Sequence, residues 1–148
     1  MGVIVQKFGG TSVADIERIR NVAHRVAKAY DAGNDVVVIL SAMAGVTDKL
    51  ISMASRISER PEKRELDVLL ATGEQTTAAL LAMTLISMKY PARSLMGFQA
   101  EVRTDCAFGN ARILDINAER IEALIGRRNI VVIAGFQGHD REGNITTL

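Results

Sequence analysis

Apolar residues along the chain form three short uninterrupted runs that predict strands. The runs at 35–40 and 130–134 are rich in valine and isoleucine and are typical of strands covered on both faces. Val3, Ile4 and Val5 predict a third buried strand near the N-terminus. Each run passes into a loop of glycine and other small or polar residues, at 7–12, 41–47 and 135–138.

The segments between these runs show the periodicity of helices. Apolar residues recur every three or four positions from Ile16 to Tyr30, which predicts an amphipathic helix that begins near 12–15 and ends at Gly33 and Asn34. Further helices are expected from Val46 or Thr47 onward, from 66 to about 89, and at 118–127. Short strands are expected at 93–95, 101–103 and 112–114, and the tail at 136–148 is expected to form a hairpin.

Strands that alternate with helices indicate an α/β fold. We predict a three-layer α/β/α sandwich with a mainly parallel central sheet. In such sheets ligands bind at the carboxyl ends of the strands, so the loops at 7–12, 41–47 and 135–138 are expected to be neighbours.

The composition of the 148 residues excludes several classes of protein. Eighteen Lys and Arg oppose 17 Asp and Glu, and the net charge of +1 provides no overall field for nucleic acid or an acidic membrane. The single cysteine, Cys106, excludes an internal disulfide framework and favours the reducing cytoplasm. The longest uncharged stretch, 75–88, is shorter than the about 20 residues that span a membrane. We therefore expect neither nucleic acid nor membrane as a partner.

The first two loops carry residues that suit an anionic ligand. Gly9 and Gly10 precede a helix and leave backbone N–H groups free, while Lys7 adds a positive charge beside them. A tight strand-to-helix turn with a snorkelling lysine explains the same residues. Ser41 and Thr47 offer hydroxyl groups in the second loop, although serine and threonine are also ordinary helix N-caps.

Glu74 interrupts an apolar helical face that includes Ala71, Ala78 and Leu81. A buried carboxylate needs a cation or hydrogen-bond donors to offset its desolvation, and either a substrate ammonium group or Lys7 could supply one. The alternative is a helix rotated so that Glu74 reaches water. Neither histidine is placed as a general base, and the carboxylates have no spacing typical of a metal site.

Six short motifs occur in order along the chain. They are KFGGTS at 7–12, SAMAGVT at 41–47, TGE at 72–74, FQA at 98–100, FGNAR at 108–112 and AGFQG at 134–138. Together they resemble the N-terminal part of the aspartate kinases, within the amino acid kinase superfamily. Each motif is modest by itself, but six in the expected order are highly specific.

The resemblance implies transfer of the γ-phosphoryl group of MgATP to the side-chain carboxylate of L-aspartate. It implies that Lys7 neutralises charge on the transferred group, and that the phosphate and ATP contacts come from Lys7, Phe8, Gly9, Gly10 and Ser12. The implied aspartate contacts come from Ser41, Thr47, Glu74 and Phe136, with Glu74 holding the substrate's ammonium group. No metal ligand is assigned in this chain, because Mg²⁺ would be held through the phosphates and by residues outside it. Transfer to an existing carboxylate requires positioning and charge stabilisation rather than a base.

The resemblance also implies what lies outside these residues. In aspartate kinases a segment like 146–148 leads into a GRGGSD motif, whereas this sequence ends at Leu148. We therefore expect the chain to be the amino-acid-substrate part of a kinase domain, without the nucleotide-binding part and the regulatory ACT domains. It is expected to be inactive alone and to expose apolar surface that promotes self-association. The full-length protein is expected to be a homo-oligomer.

Two alternatives stay open from the sequence. One is a non-catalytic remnant that binds aspartate or serves assembly. The other is a different superfamily kinase, acting on acetylglutamate or a nucleoside monophosphate, which the residues around Thr47 and Glu74 disfavour.

Overall fold

A computed structural model describes residues 2–148 as eight strands, four α-helices and one 3-10 turn. In chain order the strands are β1 (Val3–Phe8), β2 (Asp35–Leu40), β3 (Ala92–Leu95), β4 (Val102–Thr104), β5 (Ile113–Ile116), β6 (Ile130–Ala134), β7 (Gln137–His139) and β8 (Ile145–Thr147). The helices are α1 (Ile16–Asp31), α2 (Val46–Ile57), α3 (Lys63–Ser87) and α4 (Glu119–Gly126). The 3-10 turn, Gly10–Val13, lies between β1 and α1.

The central sheet has the strand order β1-β2-β6-β3, and all four strands are parallel. Helices α1 and α3 cover one face, where Val38, Leu81 and Ile130 are fully buried. Helix α4 covers part of the other face, where Ile121 and Ile125 pack against a second core cluster. Helices on both faces of a parallel sheet confirm the predicted three-layer α/β/α sandwich.

Four of the strands form a separate sheet, which the sequence did not predict. Its order is β5-β4-β7-β8, with β4 and β7 parallel and the two outer pairs antiparallel. The pair β7 and β8 is the hairpin expected in the tail. Strands β4 and β7 lie far apart in sequence and are only three residues long, so local periodicity gave no sign of their pairing.

Strand β1 is covered on one face only, so the prediction of a fully buried strand is wrong here. Phe8 packs into the core beneath α1, whereas Val3 and Val5 are 56% and 61% exposed. The strand also lies at the edge of its sheet, with β2 as its neighbour. An uncovered apolar surface therefore runs along one face of β1.

Helix α3 is long and apolar enough to cross a membrane by length and composition. Its residues Ala78, Leu81 and Leu85 are fully buried against α1 and the central sheet. This packing is typical of a core helix of a globular domain.

We expect the uncovered face of β1 to promote self-association of the chain. Val5→Thr keeps the β-branched shape and replaces a methyl group by a hydroxyl, so it should weaken the association measured by sedimentation equilibrium. Ile57→Thr is the matched control, because Ile57 is 89% exposed but lies on α2. A wild-type chain that stays monomeric at all concentrations would contradict this expectation.

Candidate active site

Loops after β1, β2 and β6 meet at the carboxyl ends of the strands, as predicted from the sequence. The Ser41 N–H donates to the Phe8 carbonyl oxygen over 3.1 Å, and the Gly135 N–H donates to the Leu40 carbonyl oxygen over 2.9 Å. Backbone hydrogen bonds thus fix the positions of the loops relative to one another.

A cleft of about 960 Å³ opens beside these loops. Its polar end is lined by five of the predicted site residues, namely Lys7, Ser41, Thr47, Glu74 and Phe136. From there the cleft continues as an apolar trough between the central sheet and α4, lined by Val3, Val5, Val37, Ile39, Ile121 and Ile125. The polar end is the part suited to a small charged ligand.

Glu74 is buried at this polar end, with 4% of its surface exposed. Its Oε1 atom accepts a hydrogen bond of 3.1 Å from the Ala42 N–H, whereas its buried Oε2 atom has no partner among residues 2–148. Burial raises the pKa of the Glu74 carboxyl above its ordinary value of 4.5, and the hydrogen bond from Ala42 opposes that shift. The alternative of a helix rotated to expose Glu74 is therefore wrong. The site presents a desolvated acceptor that a bound cation could satisfy.

Lys7 does not provide that cation. The ion pairs within residues 2–148 are four surface pairs, and none of them includes Lys7 or Glu74. Lys7 is exposed on the same face of β1 as Val3 and Val5, and it lines the cleft. Its positive charge is therefore available to an anion bound in the cleft.

Gly10 allows the first loop to approach the second. The Ala44 N–H donates to the Gly10 carbonyl oxygen over 3.2 Å. A Cβ atom at Gly10 would lie 3.0 Å from the Ala42 carbonyl oxygen, closer than side chains normally approach. Gly10 also begins the 3-10 turn, and the first N–H groups of a helical turn lack partners within it.

A smaller cavity of about 360 Å³ shares Lys7 with the main cleft. It is lined by Phe8, Gly9 and Ser12, to which the motif resemblance assigned phosphate and ATP contacts. The Phe8 ring is buried in the core, so this residue offers only its backbone to a ligand. Phe8, Gly9 and Ser12 thus lie beside Lys7 but outside the main cleft, and Gly10 lines neither cavity.

Ser41, Thr47 and Phe136 line the same cleft as Glu74, each from a different element. Ser41 follows β2 and is half-buried, and Thr47 lies in the first turn of α2. Phe136 follows β6 with a φ of 64°, a left-handed conformation that is uncommon for a residue with a bulky side chain. Its carbonyl oxygen accepts a hydrogen bond of 3.0 Å from the Leu148 N–H. The hairpin of β7 and β8 thereby holds Phe136 beside the cleft.

The remaining titratable candidates lie outside the cleft. His24 and Cys106 are exposed, and neither they nor His139 line it. His139 is the last residue of β7. Over residues 2–148, no three His, Cys, Asp or Glu side chains cluster as metal ligands would.

Sequence reasoning missed two groups near the site. Asp67 lies two turns before Glu74 on α3 and is fully buried. Leu70 and Ala71, three and four residues later, are also buried, so the pattern that identified Glu74 could have identified Asp67. The N–H of Ala42 was missed because a backbone donor has no signature in the sequence.

Gly73→Ala should destabilise the protein, because a Cβ atom at position 73 would lie 2.8 Å from the Ala42 Cβ. Overpacking of this kind lowers the free energy of unfolding by about 1–3 kcal/mol. Urea denaturation of the two variants and the wild type measures this change. Gly126→Ala in α4 is the control, since nothing lies within 4 Å of its Cβ position. It should be neutral or stabilising by up to about 1 kcal/mol. Equal effects of the two substitutions would contradict the close approach of α3 to the loop.

The raised pKa of Glu74 predicts a pH dependence of the ligand-free protein's stability. A carboxyl whose pKa is higher in the folded state stabilises the fold below pH 4.5, and that contribution is lost as the pH rises through the folded-state pKa. The free energy of unfolding of the wild type, relative to Glu74→Gln, should therefore fall as the pH is raised from 4 to about 7. Thermal unfolding of both proteins across this pH range measures this difference in stability. A difference that is constant or rises with pH would show that Glu74 is not desolvated.

Comparison with known proteins identifies the family. The model of the amino acid kinase family matches residues 2–148. Over the whole chain, the sequence is 56% identical to an aspartokinase of Bacillus sp. (strain MGA3) and 47% identical to one of Thermus thermophilus. The match covers 36% of each relative, so the chain spans just over a third of their length.

Solved structures share the fold. The aspartate kinase from Synechocystis matches 100% of this chain and 24% of its own, with a TM-score of 0.82 and 40% identity. Aspartokinase III of E. coli, crystallised with aspartate and ADP, matches 100% of this chain and 43% of its own, with a TM-score of 0.81 and 23% identity. The family match, the parallel sheet and the cleft at its carboxyl edge lead to one conclusion: the chain belongs to the amino acid kinase family.

Proposed function

We propose that this chain is the amino-acid-binding part of an aspartate kinase, which transfers the γ-phosphoryl group of ATP to the side-chain carboxylate of L-aspartate and forms 4-phospho-L-aspartate. The observation that carries the proposal is the unpartnered Oε2 atom of buried Glu74, in the same cleft as Lys7. The aspartokinases that are 47% and 56% identical over the whole chain support this choice of substrate.

In this proposal Glu74 binds the substrate's ammonium group. An ammonium donor would satisfy Oε2, and a charge-assisted hydrogen bond in a desolvated site is stronger than one at the surface. The hydroxyl groups of Ser41 and Thr47 would orient the amino acid, and the Phe136 ring would cover it. A dicarboxylate without an ammonium group would leave Oε2 unsatisfied and bind weakly.

Lys7 and the glycine loop serve the phosphoryl group. An oxygen of the substrate carboxylate attacks the γ-phosphorus while the bond from phosphorus to the ADP oxygen breaks, and no proton has to leave the nucleophile. The positive charge of Lys7 and the N–H groups of Gly9 and Gly10 stabilise the charge on the transferred group. Ser12 and the Phe8 backbone complete this side of the site.

Mg²⁺ would enter with the nucleotide phosphates. In this proposal the ion is held mainly by the phosphates and by residues outside this chain. Because the chain covers 36% of its relatives, we assign most nucleotide contacts and the regulatory domains to the remaining length. We further propose a cytoplasmic homo-oligomer that supplies the biosynthesis of lysine, threonine and methionine.

The full natural polypeptide that carries this sequence should form aspartyl hydroxamate from L-aspartate, MgATP and hydroxylamine. Lys7→Ala should lower kcat about a hundredfold or more, because it removes a charge that stabilises the transition state. Lys28→Ala, an exposed lysine at the end of α1, is the control and should leave the rate unchanged.

A second assay, which measures the ADP released from ATP, separates the rival substrates, because phosphorylation of a nucleoside monophosphate forms no acyl phosphate and therefore no hydroxamate. Parallel reactions supply acetylglutamate or a nucleoside monophosphate in place of L-aspartate. Turnover of either compound but not of L-aspartate would refute the proposal, as would full activity of the Lys7→Ala variant.

A further inference from the structure

Helix α3 carries a second buried carboxylate that the proposed reaction does not use. Asp67 is 0% exposed, and its two oxygens accept hydrogen bonds from three donors. Oδ2 accepts the N–H of Gly109 over 3.0 Å and the N–H of Thr147 over 2.9 Å. Oδ1 accepts the Thr147 hydroxyl over 2.7 Å. A single side chain thus connects α3, the loop after β4 and strand β8.

The two buried carboxylates of α3 differ in their hydrogen bonding. Both oxygens of Asp67 have partners, whereas Oε2 of Glu74 has none among residues 2–148. Asp67 takes part in none of the four ion pairs of this range, so backbone and hydroxyl donors alone offset its desolvation. Both oxygens of Asp67 are therefore engaged by donors of the protein, whereas one oxygen of Glu74 is not.

A short series of contacts leads from Asp67 to the cleft. Thr147, which Asp67 holds by its N–H and hydroxyl, precedes Leu148, and the Leu148 N–H donates to the Phe136 carbonyl oxygen over 3.0 Å. Thr147 also pairs with Gln137, the residue after Phe136, in the register of β7 and β8. The position of the Phe136 backbone therefore depends on the position of Thr147.

A second bond ties the same hairpin to α3. The Gln137 Nε2 donates to the Ala71 carbonyl oxygen over 2.9 Å, one turn along the helix from Asp67. Helix α3 thus holds Glu74 directly and the hairpin through Asp67 and Ala71. One helix therefore carries Glu74 and also holds the hairpin to which the Phe136 backbone is bonded.

We propose that Asp67 is a positioning residue, which fixes Phe136 against Glu74 through Thr147 and thereby sets the affinity of the cleft for its amino acid. The proposal rests on the proposed function for the identity of that amino acid. Its physical content, the coupling of Asp67 to Phe136, is independent of it.

Steady-state kinetics of the full natural polypeptide tests this coupling. Asp67→Ala should raise the KM for L-aspartate about tenfold while kcat changes less than about threefold, because binding is weakened and the phosphoryl side is untouched. Asp67→Asn should restore most of the affinity, since its carbonyl oxygen can accept both N–H groups and its amide can donate to the Thr147 hydroxyl oxygen. Thr147→Val removes only the hydroxyl donor and should raise KM by a smaller factor, even if Asp67→Ala does not fold.

Val26→Ala is the control for a general loss of stability, because Val26 lies on the buried face of α1 and does not line the cleft. It should lower stability without changing KM. A KM for Asp67→Ala and Thr147→Val no higher than that of Val26→Ala would overturn the proposal. So would an Asp67→Asn variant as impaired as Asp67→Ala.

Hydrogen exchange gives a readout that does not require activity. The amide hydrogens of Thr147 and Leu148 should exchange faster in Asp67→Ala than in Val26→Ala, and Asp67→Asn should restore slow exchange. Slow exchange in Asp67→Ala would contradict the coupling. If the exchange rates of the variants show this coupling but the wild-type polypeptide does not phosphorylate L-aspartate, the proposed function fails and the positioning role stands.

Discussion

The close packing of α3 against the loop after β2 is the contact on which the site depends. Glycine at position 73 lets the helix approach Ala42 more closely than any side chain would allow. That approach brings Oε1 of Glu74 within 3.1 Å of the Ala42 N–H and leaves Oε2 buried without a partner. The Thr77 hydroxyl strengthens the same contact by donating to the Ser41 carbonyl oxygen over 2.8 Å. A cationic group bound at this position would offset the cost of burying an incompletely satisfied carboxylate.

Much of the fold follows from local sequence patterns. The runs at 35–40 and 130–134 are strands, and the helix that starts near residue 15 is capped by Asp15, whose side chain accepts the Arg18 N–H over 2.8 Å. The sequence also predicted that three loops meet at one edge, because the carboxyl ends of parallel strands lie together. Glu74 was recognisable as a charge on an apolar helix face.

Other features depend on contacts between distant residues, which a local pattern does not contain. The second sheet requires β4 to pair with β7, more than thirty residues along the chain. A run such as 3–5 gives the same signal whether one face or both faces of the strand are covered, and only the exposure of Val3 and Val5 distinguishes them. Asp67 carried a usable sequence signal, but its donors come from residues 109 and 147. Their convergence is a property of the tertiary structure.

The central claim is that buried Glu74 selects a substrate with an ammonium group. The most direct measurement compares the affinities of L-aspartate and succinate, which differ by that group, for the full natural polypeptide and its Glu74→Gln variant by titration calorimetry. The account predicts that the wild type prefers L-aspartate by at least about tenfold and that Glu74→Gln loses most of this preference. Equal affinities in the wild type, or an unchanged preference in Glu74→Gln, would contradict it.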